Sequence, residues 1–321
     1  MSSWLNYPIQ RPKITTNVNY GFRQLLPQGK IEGKTKGVTV VSAFYTMKGK
    51  HSMEVYKERI RVFLEGCPCN MVFFTEEDLV PFIRECRRAY EDITDVLVVE
   101  RSKWTANKNY KQIIWDALYV KDIVKGKYTT DYYKFLYEKR EFVKRVMEYN
   151  PFSHTDFIWI NPTICKDSRI IPLIKSFPQA SRIPTDRLMI FNITPFEFND
   201  EKIKTYSGTV IFGVKDKNRI NSSIIAGTKE KWLHYYDMYE ESVKKFQRAN
   251  LFWGLDSILL ASIALENKEK VSLIEPKPCV DPSWRSMYAL LYLGVSNKKF
   301  ELLTDKANYE KKMTCEEFIV A

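Results

Sequence analysis

The residue types best able to do chemistry cluster between Asn150 and Cys165. Asn150-Pro151-Phe152 leads into the apolar run Asp156-Phe157-Ile158-Trp159-Ile160, which stops at Asn161-Pro162-Thr163. An apolar strand that ends in a small polar side chain and a proline delivers that side chain to the carboxyl edge of its sheet, where open α/β sheets bind ligands. Asn161 is therefore the first candidate. It has two readings: an amide that faces a ligand, or the opening residue of a turn, a common use of Asn before Pro. A second candidate is Asp256, which follows Gly254 at the start of an apolar helical run. There a carboxylate either orients or deprotonates a hydroxyl, or simply complements the positive end of the helix dipole.

The elements that must position these residues alternate. Val38 to Tyr45 suits a buried parallel strand, and Glu54 to Leu64 has helical spacing through Val55, Ile60, Val62, Phe63 and Leu64. A strand from Met71 to Thr75, a helix from Glu77 to Tyr90 and a strand from Asp95 to Glu100 follow. This order predicts an α/β domain whose central sheet is mainly parallel, with right-handed crossovers and flanking helices. Helices are expected over Tyr110–Val124 and Tyr132–Tyr149, the second carrying Lys139, Arg140, Lys144 and Arg145. Beyond Cys165, Ile170–Phe177 reads as helical, Arg187–Ile193 and Thr209–Val214 as strands, and Ile224–Ala226 as a short apolar approach to Gly227. A helix over Lys231–Asn250 and the segment Leu255–Leu265 close the domain. The expected organisation is an irregular, proline-containing extension at 1–36, a domain at 37–276, and a C-terminal section at 277–321 packed on it.

A chain of 321 residues with 45% apolar side chains can bury a large core. Fifty Lys and Arg against 39 Asp and Glu give a formal charge of +11, which favours an anionic partner such as a nucleotide diphosphate, a nucleic acid or a membrane surface. Basic and acidic residues interleave along the helices, and no basic stripe with interleaved aromatics or common binding motif marks a nucleic-acid groove, which disfavours that partner. The six cysteines are dispersed, with only Cys67 and Cys69 close together, so they read as reduced and mostly buried thiols of a cytoplasmic chain. Neither a secretory leader nor a transmembrane run of about 18 apolar residues is expected.

Asn-Pro-Phe followed by Phe157-Ile158-Trp159-Ile160 resembles the HtrL/YibB family of glycosyltransferase-like proteins, in which a Lys-bearing helix precedes an Asn-Pro-Phe turn and a strand ending Trp-Ile-Asp. Val38 to Tyr45 is similar to that family's opening strand, Asn70 to Thr75 to its second, and Ile224-Ile225-Ala226-Gly227 and Trp253-Gly254-Leu255-Asp256 to its Ala-Gly and Gly-x-Asp-Gln blocks. The blocks span roughly Gly37 to Pro276 in the family's order. The resemblance implies a GT-A-like domain that moves a sugar from a nucleotide-diphosphate donor, most often a UDP-sugar, to a carbohydrate or glycoconjugate acceptor. It implies a donor site at Ser42, Ala43, Phe44, Tyr45, Thr75, Lys139, Trp159 and Gly227, an acceptor side at Trp253 and Gly254, and catalytic roles for Asp256 and Asn161. Phe44 and Tyr45 read equally as core aromatics, and Lys139 equally as a solvated helix lysine.

Asn161 stands where the family has Asp. An amide lends a cation an oxygen but no charge, and Mn2+ and Mg2+ favour carboxylates, so a metal at Asn161 is held weakly at best. Asp156 or Asp167 is the alternative carboxylate, and Lys139, Lys111 or Arg285 the alternative source of positive charge for a leaving diphosphate. The same departure keeps a second reading open, a catalytically inactive, glycosyltransferase-like binding or structural protein.

Overall fold

The computed structural model describes residues 37–49, 51–122, 126–193, 196, 205–206, 209–210, 219–275 and 287–295. The expected extension at 1–36, the expected strand beyond Val210, and Arg285 lie outside the described residues.

Seven strands form one sheet: β1 (Val38–Phe44), β2 (Met71–Thr75), β3 (Thr94–Val98), β4 (Asp156–Ile160), β5 (Leu188–Asn192), β6 (Ile220–Thr228) and β7 (Val271–Ile274), in the order β3-β2-β1-β4-β6-β5-β7. Every adjacent pair is parallel except those of β6, which runs antiparallel to both β4 and β5. The fold is thus mixed α/β with a mostly parallel sheet, as the element order predicts. β2, β4 and β5 are buried along their whole length, which is why they read as continuous apolar runs and not as alternating ones. β6 is longer than its apolar centre suggests. Its nine residues begin Ile220-Asn221-Ser222-Ser223, a poor strand-forming start that holds because strands flank it on both sides.

Helices cover both faces: α1 (Met53–Gly66), α2 (Val80–Cys86), α3 (Thr105–Asn109), α4 (Gln112–Lys121), α5 (Thr130–Tyr149), α6 (Lys229–Arg248), α7 (Asp256–Glu266) and α8 (Tyr288–Gly294). Side-chain alternation along the strands splits the core in two. Val41, Ala43, Phe157 and Trp159 face α3 to α7, while Val40, Phe73, Ile158 and Ile160 face α1, α2 and α8. The helix expected over Glu77–Tyr90 is interrupted, with α2 flanked by 3-10 turns at Glu77–Leu79 and Arg88–Ile93. The one expected from Tyr110 starts only at Gln112, as α4, and is preceded by the separate short helix α3, because Tyr110 and Lys111 adopt extended backbone. α8 lies inside the C-terminal section, and residues 287–295 belong to the second core: a Cβ on Gly294 would fall 2.6 Å from Ile174 Cβ.

Two local devices fix the chain near the site. Asn150 ends α5 in the left-handed conformation (φ 39°). Its amide then donates to His154 O (3.0 Å) and accepts from His154 N (3.1 Å), which locks the Asn-Pro-Phe turn and aims the chain into β4. After β3 the chain crosses to the far side of β1 to form β4, so the gap between the carboxyl ends of β1 and β4 is the topological switch point, where such sheets leave a crevice.

The Cys67-Pro68-Cys69 turn is held by Arg87, which is 1% exposed. Its guanidinium donates to the carbonyls of Leu64 (3.0 Å), Cys67 (2.6 Å) and Cys69 (2.8 Å) and to Thr94 Oγ1 (2.8 Å). The four described cysteines, Cys67, Cys69, Cys86 and Cys165, are free and buried, and burial pushes the thiols of Cys69 and Cys86 up to about 11. Arg87→Ala removes the guanidinium donor from three buried carbonyls, of which Cys67 O keeps its bond from Cys69 N (2.9 Å), and is expected to cost on the order of 3 kcal/mol in urea unfolding. Arg87→Lys should recover only part of that, because an ammonium lacks the planar fork. A loss below about 1 kcal/mol for Arg87→Ala would show that the turn holds itself.

Candidate functional site

At the carboxyl edge, most polar groups of β1 and β2 are committed to the sheet. Ser42 Oγ donates to Ile160 O (2.8 Å) and Thr75 Oγ1 to Phe44 O (2.9 Å), and both side chains are fully buried. They fasten the strand ends together and offer no hydroxyl to a ligand. Ala43 is likewise buried, and Tyr45 is a core aromatic whose hydroxyl donates to Val99 O (3.0 Å). Burial raises the Tyr45 phenol well above its ordinary range, so it stays neutral. Phe44 alone of this group is half-exposed, packed at 6.0 Å from the Tyr56 ring. Beside it, Glu76 accepts from Thr46 N (2.8 Å) and from Arg101 (2.9 Å), tying together the exits of β1, β2 and β3.

Asn161 is half-buried and does open a turn. Its Oδ1 accepts from Thr163 N (3.0 Å) and Thr163 Oγ1 (2.9 Å), capping the single 3-10 turn Pro162–Ile164. Its backbone N donates to Ser223 O (2.8 Å), which draws the start of β6 against the end of β4. Strand alternation puts Asn161 on the face of Phe157 and Trp159, the face covered by α5.

On that face lies a buried ion pair. Lys139 Nζ from α5 donates to Asp256 Oδ2 at the first residue of α7 (2.6 Å) and to Ser222 O on β6 (3.1 Å), and it stands 5.8 Å from the centroid of the Trp159 ring. Lys139 and Asp256 are 5% and 3% exposed, so Lys139 is no solvated helix lysine. Asn161 bonds Ser223 and Lys139 bonds Ser222, so neighbouring residues of β6 join the strand-end amide to the pair. Trp159 is fully buried beneath, stacked on Phe142. Three residues expected from the sequence, Trp159, Lys139 and Asp256, therefore meet, and Asn161 is joined to them through adjacent residues of β6.

Others do not. Gly227 pairs with Phe157 near the amino end of β4, at the opposite edge of the sheet from Asn161, because β6 runs antiparallel. A Cβ there would meet Leu188 Cδ1 at 3.2 Å, so its smallness serves packing. Trp253 is 3% exposed among Tyr110 (5.2 Å) and Trp115 (5.3 Å), a core aromatic and not an open acceptor platform. Gly254 is closed over by Phe252, whose ring lies 2.8 Å from where a Cβ would stand.

Sequence reading missed the charged belt of α5, where Lys134, Glu138, Arg140 and Glu141 are buried beside Lys139. Lys134 donates to Gln112 Oε1 (2.6 Å), and Glu138 binds Arg145 (2.8 Å) and the backbone N of Ala106 (3.1 Å). Arg140 is ion-paired with Glu240 and sandwiched between the rings of Tyr137 (3.8 Å) and Tyr239 (4.2 Å). Part of the signal was present: apolar residues at 133, 135, 136, 137, 142, 143 and 146 wrap more than half of the helix circumference, wider than the stripe of a surface helix, while charged residues fill the remaining arc.

The donors do not fit a hard divalent cation. Among the described residues no three His, Cys, Asp or Glu side chains cluster as ligands. Asn161 Oδ1 already accepts two hydrogen bonds, Asp156 lies at the amino end of β4, and Asp167 pairs with Arg169 (2.6 Å).

No protein-family model matches the chain, and no curated protein sequence matches it. Among solved structures it is similar to the apo crystal structure of mouse xyloside xylosyltransferase 1, with a TM-score of 0.45 and 13% sequence identity over 81% of this chain and 93% of that one.

Two outcomes are expected for the buried charges. Lys139→Ala leaves Asp256 buried without its cation and should cost about 3–5 kcal/mol, whereas the apolar double variant Lys139→Met/Asp256→Leu should lie closer to wild type. Calorimetric or urea unfolding of the set checks this, and a double variant as unstable as the single one would contradict it. Burial, only partly offset by Arg145, pushes the Glu138 carboxyl up to about 7. A raised carboxyl pKa means that the folded chain holds the proton longer than the unfolded one. The contribution of Glu138 is thus complete below about 4.5 and is lost as pH rises through about 7. Glu138→Gln should flatten that decline in unfolding curves, and identical pH profiles for the two proteins would contradict it.

Proposed function

We propose that this chain is a glycosyltransferase that takes its sugar from a nucleotide-diphosphate donor, a UDP-sugar being the expected class, and passes it to a carbohydrate or glycoconjugate acceptor. The observation that carries the reading is the convergence of Asn161, Trp159, Lys139 and Asp256 beside the β1/β4 switch point. The ordered likeness of the sequence blocks to glycosyltransferase-like proteins supports it.

In this reading the nucleotide lies across the carboxyl ends of β1 and β4, with Phe44 as its one half-exposed aromatic neighbour on β1. Bond cleavage leaves negative charge on the departing diphosphate, which a fixed cation stabilises. Lys139 is a buried cation bonded to Ser222, the neighbour of the Ser223 that Asn161 bonds, and two of its three N–H groups are committed to protein acceptors. The third serves a phosphate oxygen. Asp256 positions that ammonium and starts α7 beside the acceptor.

A second reading, a glycosyltransferase-like protein that binds without transferring, is favoured by one observation: the Asn161 oxygen is tied into its own turn. Uridine diphosphate and its sugars should raise the thermal midpoint with concentration under either reading, by about 2.7 kcal/mol at one hundred times Kd. Release of uridine diphosphate from a UDP-sugar when acceptor glycans are added supports transfer, and binding without release supports the second reading. No shift with any nucleotide diphosphate at millimolar concentration overturns both. Asn161→Asp keeps the same turn, so donor affinity should be equal with manganese and with chelator. A gain confined to manganese would return Asn161 to a metal site.

A further inference from the structure

α4 shows water the apolar side chains that a folded chain ordinarily hides. Ile113 and Val120 are 71% and 65% exposed, and Ile114 and Tyr119 are more than a third exposed. These are four of the six large hydrophobic residues exposed among the described residues, and all lie on one ten-residue helix. Ile113, Ala117 and Val120 recur at the spacing of a single helical stripe, while Trp115 and Leu118 bury the other side in the core. The helix is apolar on two sides, and the core accounts for only one.

The surroundings are basic. Between Lys103 and Lys127 the sequence carries six lysines, at 103, 108, 111, 121, 125 and 127, against Asp116 and Asp122. Asp122 is buried and takes the hydroxyl of Tyr133, and Asp116 takes the amide of Gln112 (2.8 Å). Lys103, Lys108, Lys111 and Lys127 are all exposed. Asp116 is exposed on the helix between Ile113 and Val120, so the described residues of this segment offer four exposed lysines against one exposed carboxylate, a net positive charge.

We propose that α4 is a docking helix for a membrane surface that carries anionic lipid headgroups. Isoleucine and valine enter the boundary between headgroups and acyl chains, and the lysines meet the negative surface, a combination that neither feature alone would require. Attachment is peripheral, since no helix among the described residues is long and apolar enough to cross a membrane. A second copy docked face to face would set the same lysines against each other, and a nucleic acid would leave Ile113 and Val120 in water. The proposal does not rest on the transferase reading.

Flotation of the full chain with phosphatidylcholine vesicles, with and without phosphatidylserine, tests it. The chain should float with the phosphatidylserine vesicles and much less with the neutral ones, and salt should weaken the binding. Ile113→Ser/Val120→Ser and Lys103→Glu/Lys111→Glu should each weaken it by about tenfold or more. Both should keep the wild-type thermal midpoint, because the altered side chains are exposed. Absence of flotation overturns the proposal, as does binding that the Ile113→Ser/Val120→Ser variant leaves intact. Self-association that the same variant abolishes, without vesicle binding, assigns the stripe to a protein contact and also overturns it.

Discussion

The structure depends on the burial of α5 on every side. A helix so enclosed must satisfy the charges it carries, because an ionised group left unpaired in the interior costs several kcal/mol. Four of these charges bind another element: Lys134 binds α4, Glu138 the start of α3, Lys139 α7 and β6, and Arg140 α6, while Glu138 also pairs with Arg145 and Glu141 with Arg140 inside α5. Apolar contact alone is non-directional and would allow these helices to slide. Charge-assisted bonds of fixed length set their positions against α5, although their net contribution to stability is small compared with that of the surrounding aromatic core.

The same constraint builds the candidate site. β6 starts with Asn221-Ser222-Ser223, residues that do not favour a strand. Lys139 holds the Ser222 carbonyl from one side and Asn161 N holds Ser223 from another. The reversed strand is thereby pinned where the carboxyl end of β4 meets the starts of β6 and α7. Asp256, Lys139 and Asn161 are the joints of that edge, and an edge of this kind in an open α/β sheet is where ligands lie.

The parallel half of the sheet was legible in the sequence because its strands are buried on both faces and appear as unbroken apolar runs. The limits of β2 and β4 agree with expectation residue for residue, and β1, β3 and β5 agree within two residues. β6 was mostly hidden, since its polar start derives its form from its neighbours. β7 is four residues long and half-buried, and α8 follows three prolines, so neither announces itself. The charges of α5 read as solvent-facing because Lys, Glu and Arg are rarely buried unless paired, and the partners lie far away in sequence. At the site, Asn161 was legible as the polar end of an apolar strand, and Lys139 and Asp256 through their place beside the resembling blocks. Gly227 and Trp253 were misplaced for a physical reason: local sequence shows neither the direction of a strand within its sheet nor which aromatic rings join a core.

The central claim is that the carboxyl edge between β1, β4 and the start of β6 receives a nucleotide diphosphate sugar. Amide hydrogen exchange of the full chain, with and without a UDP-sugar, measures it most directly, because exchange reports where a bound ligand restrains the backbone. Binding at this edge requires slowed exchange at residues 44–46, 161–163 and 222–223. Unchanged exchange there at saturating donor, or protection confined to another surface, would contradict it.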